Sequence, residues 1–158
     1  MKIFNAGDVL QFAVRIEEDG EAFYRKAALA IGDKDIRDLF LLLADEEIKH
    51  KVIFQDMLSK VESVAPAETY DGEFAAYLHN YIDDKVIFTN SKQEEVSSDA
   101  KDTVSAILFA IQREADSILY YHESKQFIAE KFYGIIDKVI AEERKHFNKL
   151  SELRNKYK

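Results

Sequence analysis

ADEEIKHKVIF, Ala44 to Phe54, and AEERKHFNKL, Ala141 to Leu150, share one charged frame, Glu-Glu-x-Lys-His. The chain has four histidines, and two of them, His50 and His146, stand three residues after a Glu. Around the first copy the core-type positions step by four and three: Ile36, Phe40, Leu43, then Glu47 and His50, then Phe54, Met57 and Val61. That spacing belongs to one face of a helix turned toward a core, so Glu47 and His50 are predicted to point inward. The second copy reads the same way, with Ile136, Val139, Glu143, His146, Leu150, Leu153 and Tyr157 on one stripe. A single Glu-x-x-His on a helix is ordinarily an exposed polar pair. Two copies, both on apolar seams, are not.

The rest of the chain fits long helices. Its 158 residues are 47% hydrophobic and 33% charged, with five Gly and one Pro. That is one all-α domain, residues 1–158, long enough to bury a core. A first helix is predicted from Asp8, as its cap, to about Ala30, and a second from Asp33 or Asp35 to about Glu62, where SVAPAETYDG breaks it. A third runs from about Asp99 to Lys125 and a fourth from about Lys131 to Lys156. The two hairpins, 8–62 and 99–156, are joined by 63–98, which holds one short helix in EFAAYLHNYIDDKVIF and the polar stretch TNSKQEEVSS. Bundle neighbours are usually joined by only about 2–8 residues. A link this long crosses the bundle and leaves helices two and three parallel, the ferritin-like four-helix connectivity.

A formal charge of −8 opposes nucleic acid or an anionic membrane as the main partner, since both need a basic face. The chain has no Cys, so any metal it holds must bind Glu, Asp or His. MKIFNAGDVLQFAV is interrupted by Asn5, Gly7 and Asp8 before a signal-peptide core could form, and the expected location is the cytoplasm.

The two remaining helices complete the pattern. Their stripes run Ala13, Glu17, Gly20, Tyr24, Ala27 and Ala110, Glu114, Ser117, Tyr121, Lys125. The chain therefore reads as a doubled hairpin, AVRIEEDGEAFY (13–24) answering AIQREADSILYY (110–121) as the two pentapeptides answer each other. Each half supplies one lone Glu and one Glu-x-x-His, and Glu17, Glu47, His50, Glu114, Glu143 and His146 form the set expected of a dinuclear carboxylate site. Burying one charged carboxylate costs several kcal/mol, so four would rival a domain's whole stability of about 5–15 kcal/mol. Two divalent ions balance the four charges. Oxygen-rich ligation with one imidazole per ion suits iron or manganese, with zinc or cobalt as possible occupants. Tyr24 and Tyr121, each two turns beyond a lone Glu, fit ordinary aromatic core, and their matched positions also let each phenol bond a carboxylate across the site. Glu18, Glu46, Lys49 and Glu142 fall off the seams and are read as a solvated face, and His79 and His122 as non-ligands.

EEDGEAFY, LADEEIKH, READSILYY and AEERKH resemble the rubrerythrin group of the ferritin-like superfamily over nearly the whole chain. The resemblance implies two iron ions on the six residues, Glu47 and Glu143 in the bridging places, and Tyr24 and Tyr121 behind them. It implies a cytoplasmic oxidoreductase of oxidative-stress defence that reduces hydrogen peroxide or dioxygen, with a homodimer as the expected assembly. Familiar members carry a four-cysteine rubredoxin-like domain; here electrons are expected from a separate donor such as a rubredoxin. Familiar members also place an extra carboxylate one turn after the third-helix Glu, where this chain has Ser117. The small residues Gly20 and Ser117 are read as leaving space for the oxidant. Two alternatives share the same site: a ferroxidase that handles iron as its product, and a non-enzymatic metal-binding bundle.

Overall fold

In the computed structural model the described residues are 5–61, 70, 72–84 and 103–157. They form five helices: α1 (Ala6–Ala30), α2 (Lys34–Leu58), α3 (Glu73–Asp84), α4 (Thr103–Ser124) and α5 (Tyr133–Lys156). Short 3₁₀ turns at Lys125–Phe127 and Glu130–Phe132 join the last two. The α1 cap is Asn5 rather than Asp8. The Asn5 side chain accepts from the Asp8 amide at 2.9 Å, and the Asp8 carboxylate accepts from the Asn5 amide at 3.3 Å. This reciprocal capping box makes Asp8 the third helical residue and starts the helix earlier than predicted. Asp33 caps α2 as expected, accepting from the amides of Asp35 at 2.9 Å and Ile36 at 3.2 Å.

Pairings between helices fix their directions. Arg25 meets Asp45 at 2.9 Å and Lys51 meets Glu18 at 3.1 Å, so α1 and α2 are antiparallel. Tyr121 bonds Glu17 while Tyr24 bonds Glu114, so α1 and α4 are antiparallel. His50 meets Glu143 and His146 meets Glu47, which makes α2 and α5 antiparallel. Helices α2 and α4 therefore run the same way, and the chain between them crosses the bundle's length. This is the ferritin-like bundle with one long crossover. The part of the crossover within the described residues, α3, lies on α4: the Tyr81 hydroxyl donates to the Asp116 carbonyl, and the rings of Tyr81 and Tyr120 are 6.2 Å apart. Phe74 stands edge-on to Phe127 at 6.4 Å. Phe88 and TNSKQEEVSS lie outside the described residues.

Two apolar clusters fill the bundle. One gathers Val9, Leu10, Phe54, Met57, Leu78, Tyr120 and Ile136. The other gathers Phe23, Phe40, Leu43, Ile107 and Leu150. The inward Glu and His lie on the same seams between them. At the bundle ends the stripes stop implying burial: Val61 is half-buried, Tyr157 is exposed with its hydroxyl on Asp33, and the Lys125 ammonium meets Asp137 at 2.7 Å. The 3₁₀ turns arise because Phe127, Ile128 and Phe132 turn inward to close one cluster, which a continued helix would not allow. Among the described residues no helix is long and apolar enough to cross a membrane.

The seam register predicts a contrast within α2. Leu43 is fully buried and Leu41 is 38% exposed. Leu43→Ala should cost about 2–5 kcal/mol, whereas Leu41→Ala should stay within about 0.5 kcal/mol. Denaturant unfolding of the two variants checks this, and equal losses would contradict the register.

Candidate metal centre

All six inward residues are buried, with Glu17 and His50 wholly inaccessible. They converge as two overlapping groups, Glu17, Glu47, His50, Glu143 and Glu47, Glu114, Glu143, His146, within each of which the candidate ligand atoms lie within 4.8 Å of one another. Glu47 and Glu143 belong to both. The imidazoles of His50 and His146 are nearly parallel, with ring centres 5.7 Å apart.

The buried polar atoms fit a cation better than they fit one another. Glu17 Oε2, Glu47 Oε1, Glu143 Oε2 and His146 Nδ1 are buried with no hydrogen-bond partner. His146 Nδ1 is 2.9 Å from Glu143 Oε2 but not in hydrogen-bonding alignment; the short distance reflects two donor atoms facing one point. Unpaired buried acceptors are costly, and a divalent ion satisfies several together. Iron or manganese suits this mixture of carboxylate and imidazole.

Hydroxyls hold the outer carboxylate oxygens. Tyr121 donates to Glu17 Oε1 and Tyr24 to Glu114 Oε1. Burial, reinforced by the neighbouring carboxylates, pushes both phenols well above their ordinary range, so they remain donors. Burial likewise raises Glu17, and raises Glu47 and Glu114 further, with the other carboxylates adding to it. Glu143 differs: burial pushes it up, but His146 and His50 beside it outweigh that and hold it well below the carboxylate range. Burial disfavours imidazolium at His50, yet Glu143 and Glu17 raise it to about 12.

Three residues at the centre escaped the sequence reading. Glu142, read as solvated, places Oε2 2.6 Å from His50 Nε2, behind the His50 nitrogen that faces Glu143. Arg113 is buried beside the cluster, and its Nη2 donates to the Ile16 carbonyl at 3.0 Å. The signal was a break in the repeat: Arg113 falls where the first half has Ile16. Gly20 is the third. A Cβ there would lie 2.5 Å from Glu47 Oε2 and 2.9 Å from Arg113 Nη2, so its space is occupied by carboxylate and guanidinium rather than open to an oxidant. Glu46 and Glu18 are bound to Lys49 and Lys51, as a solvated face requires. His79 is exposed, and His122 lies 3.3 Å from Arg144. Asp116 is buried, accepting from Gln112 at 2.8 Å. A cavity of about 200 Å³ over the centre is lined by Leu42, Glu46, Glu142, Lys145, His146 and Lys149. A larger groove, about 320 Å³ against Phe74, Tyr77 and Glu123, touches none of the six.

A helical bundle with one long crossover and buried carboxylates shared between two ligand groups defines a ferritin-like carboxylate protein. The chain belongs to the rubrerythrin family, whose profile matches residues 8–153. Its fold matches a Thermotoga maritima crystal structure assigned as a ferritin-like diiron-carboxylate protein, with 25% identity, a TM-score of 0.72, and coverage of 100% of this chain and 99% of that one. No curated protein gives a significant match.

Two predictions follow from packing and charge. Gly20→Ala should displace the Glu47 carboxylate and lower the melting temperature of metal-bound more than of chelator-treated protein; equal lowering would mean that Glu47 does not depend on this gap. The second concerns pH. Raised groups bind more protons folded than unfolded, so the stability they give is full below the unfolded value and is lost as pH rises through the folded one. For Glu17, Glu47 and Glu114 the loss begins near the ordinary value of 4.5, and for His50 it runs from 6.5 toward about 12. Glu143 acts oppositely, losing its contribution only as pH falls below the carboxylate range. Chelator-treated protein should therefore melt lower at pH 8.5 than at pH 5.5, and Glu114→Gln should flatten that slope. A slope unchanged by Glu114→Gln would place its origin elsewhere.

Proposed function

We propose that the chain is a single di-iron domain that reduces hydrogen peroxide or dioxygen with electrons from a separate donor protein. The observation that carries this is the sharing of Glu47 and Glu143 between two otherwise separate ligand groups. Such an arrangement would hold two ions side by side rather than one ion or two distant ones. Glu47 and Glu143 would span the pair. Glu17 with His50, and Glu114 with His146, would complete the two ends.

Iron held there would supply the two electrons that, with two protons, take peroxide to two waters. The chain's own groups prepare the place. Tyr121 and Tyr24 hold the Oε1 atoms of Glu17 and Glu114 and fix the orientation of both carboxylates. The two apolar clusters exclude bulk water from either side, which strengthens every charge interaction between them. These 158 residues hold no Cys and therefore no thiolate-bound centre to return the electrons, and we assign that task to a separate donor.

Iron-loaded protein, reduced without oxygen and mixed with peroxide in a stopped-flow instrument, should show one rapid oxidation and then stop. Turnover should resume when a rubredoxin-like protein and its reductase are added. Continued turnover without a donor, or no oxidation by either peroxide or dioxygen, would contradict the proposal. Ser117→Glu, which places a carboxylate where the family's familiar members have one, should speed the peroxide reaction and leave the dioxygen reaction nearly unchanged. Glu47→Ala and Glu143→Ala should each lose most bound metal, while Glu46→Ala keeps it; equal loss at Glu46 and Glu47 would overturn the ligand assignment.

A further inference from the structure

The two halves of the centre match in almost every respect. Each ligand group has three carboxylates and one imidazole, and each terminal Glu accepts from a Tyr of the facing helix. Each His follows the same Glu-Glu-x-Lys frame. The halves differ at the outer nitrogen of the imidazole. In α2, Glu46 folds onto its own Lys49 at 2.7 Å. In α5 the equivalent Glu142 instead reaches across to α2 and sits 2.6 Å from His50 Nε2. Among the described residues the outer nitrogen of His146 has no such bond, and His146 lines the cavity beside Lys145 and Lys149.

We infer that Glu142 positions the His50 imidazole, and that this one unmatched hydrogen bond makes the His50 half the tighter metal position, so that two ions bind in order. The inference rests on the ligand assignment proposed above. A carboxylate that accepts from Nε2–H would fix the tautomer in which Nδ1, beside Glu17 and Glu143, gives its lone pair to an ion that takes the place of its proton. It also locks the ring plane and makes Nδ1 a stronger donor. Among the described residues nothing gives His146 either effect. Glu142 is half-exposed, so the bond can form without burying another unpaired charge.

Titration of chelator-treated protein with cobalt(II), followed by absorbance and calorimetry, tests this. Wild-type protein should take up one ion more tightly than the second. Glu142→Ala should weaken the tighter step by about 10- to 100-fold and bring the two steps together, as removal of such outer partners typically does. Glu142→Gln, which keeps an acceptor oxygen, should recover part of the loss, and Glu46→Ala should leave both steps as they were. In zinc-loaded protein an exchange-protected His50 Nε2–H resonance should be present in wild type and absent in Glu142→Ala, with backbone resonances elsewhere unmoved. Two tight ions in wild type with Glu142→Ala unchanged would overturn this inference alone, as would equal losses in Glu142→Ala and Glu46→Ala. Failure of wild type to bind any ion would overturn the ligand assignment with it.

Discussion

Four carboxylates in the middle of a small bundle are the constraint on which the rest of this structure depends. Glu17, Glu47, Glu114 and Glu143 are all buried, and among the described residues the only cationic side chain buried with them is Arg113, apart from whatever charge the imidazoles carry. Left ionised and unpaired, they would cost more than a domain of this size has to lose. The chain answers in layers. Phenol hydroxyls take one oxygen from each terminal carboxylate, the Arg113 guanidinium favours the ionised form of Glu114, and imidazoles hold Glu143 ionised. What remains unsatisfied is a set of oxygens and one nitrogen aimed at shared points, which is the demand a pair of divalent ions meets.

The fold serves that demand. A hairpin alone can present one lone Glu and one Glu-x-x-His, but bridging carboxylates need a second hairpin brought in antiparallel register. The long crossover makes this possible by letting α4 run parallel to α2, so that α1 faces α4 and α2 faces α5 at matching heights. The Tyr24–Glu114 and Tyr121–Glu17 bonds are the direct record of this register, since each joins the two halves of the duplicated sequence. Apolar clusters on either side then fix the height of the polar layer, because sliding a helix by one turn would drive a Glu into Phe40 and Leu43 or into Phe54 and Met57.

Much of this could be read from the amino-acid order. Glu47 and His50 were legible because they interrupt an otherwise apolar stripe without breaking its period, and burial follows from period. The pairing of halves was legible because ligand types recur in the same order. What was not legible depended on side-chain rotamers or on exceptions to the repeat. Glu142 and Glu46 occupy equivalent positions, yet one bonds His50 and the other Lys49, a choice that spacing does not encode. Gly20 looked like open space because periodicity says only that it faces inward, not that a carboxylate and a guanidinium have already filled the gap. Tyr157 and Lys125 continued their stripes on paper but lie where the bundle ends, and there their polar ends take Asp33 and Asp137 instead of the apolar core. Asp8 was a reasonable cap until Asn5 offered a reciprocal one.

The central claim is that the carboxylate layer is held together by two metal ions rather than by protons. Anomalous diffraction from crystals grown with iron or manganese tests it most directly. The account predicts two anomalous peaks inside the bundle, both contacting Glu47 and Glu143, one completed by Glu17 and His50 and the other by Glu114 and His146. Peaks confined to the exposed face around Glu46 and Glu142, or no peak within the bundle at all, would contradict it.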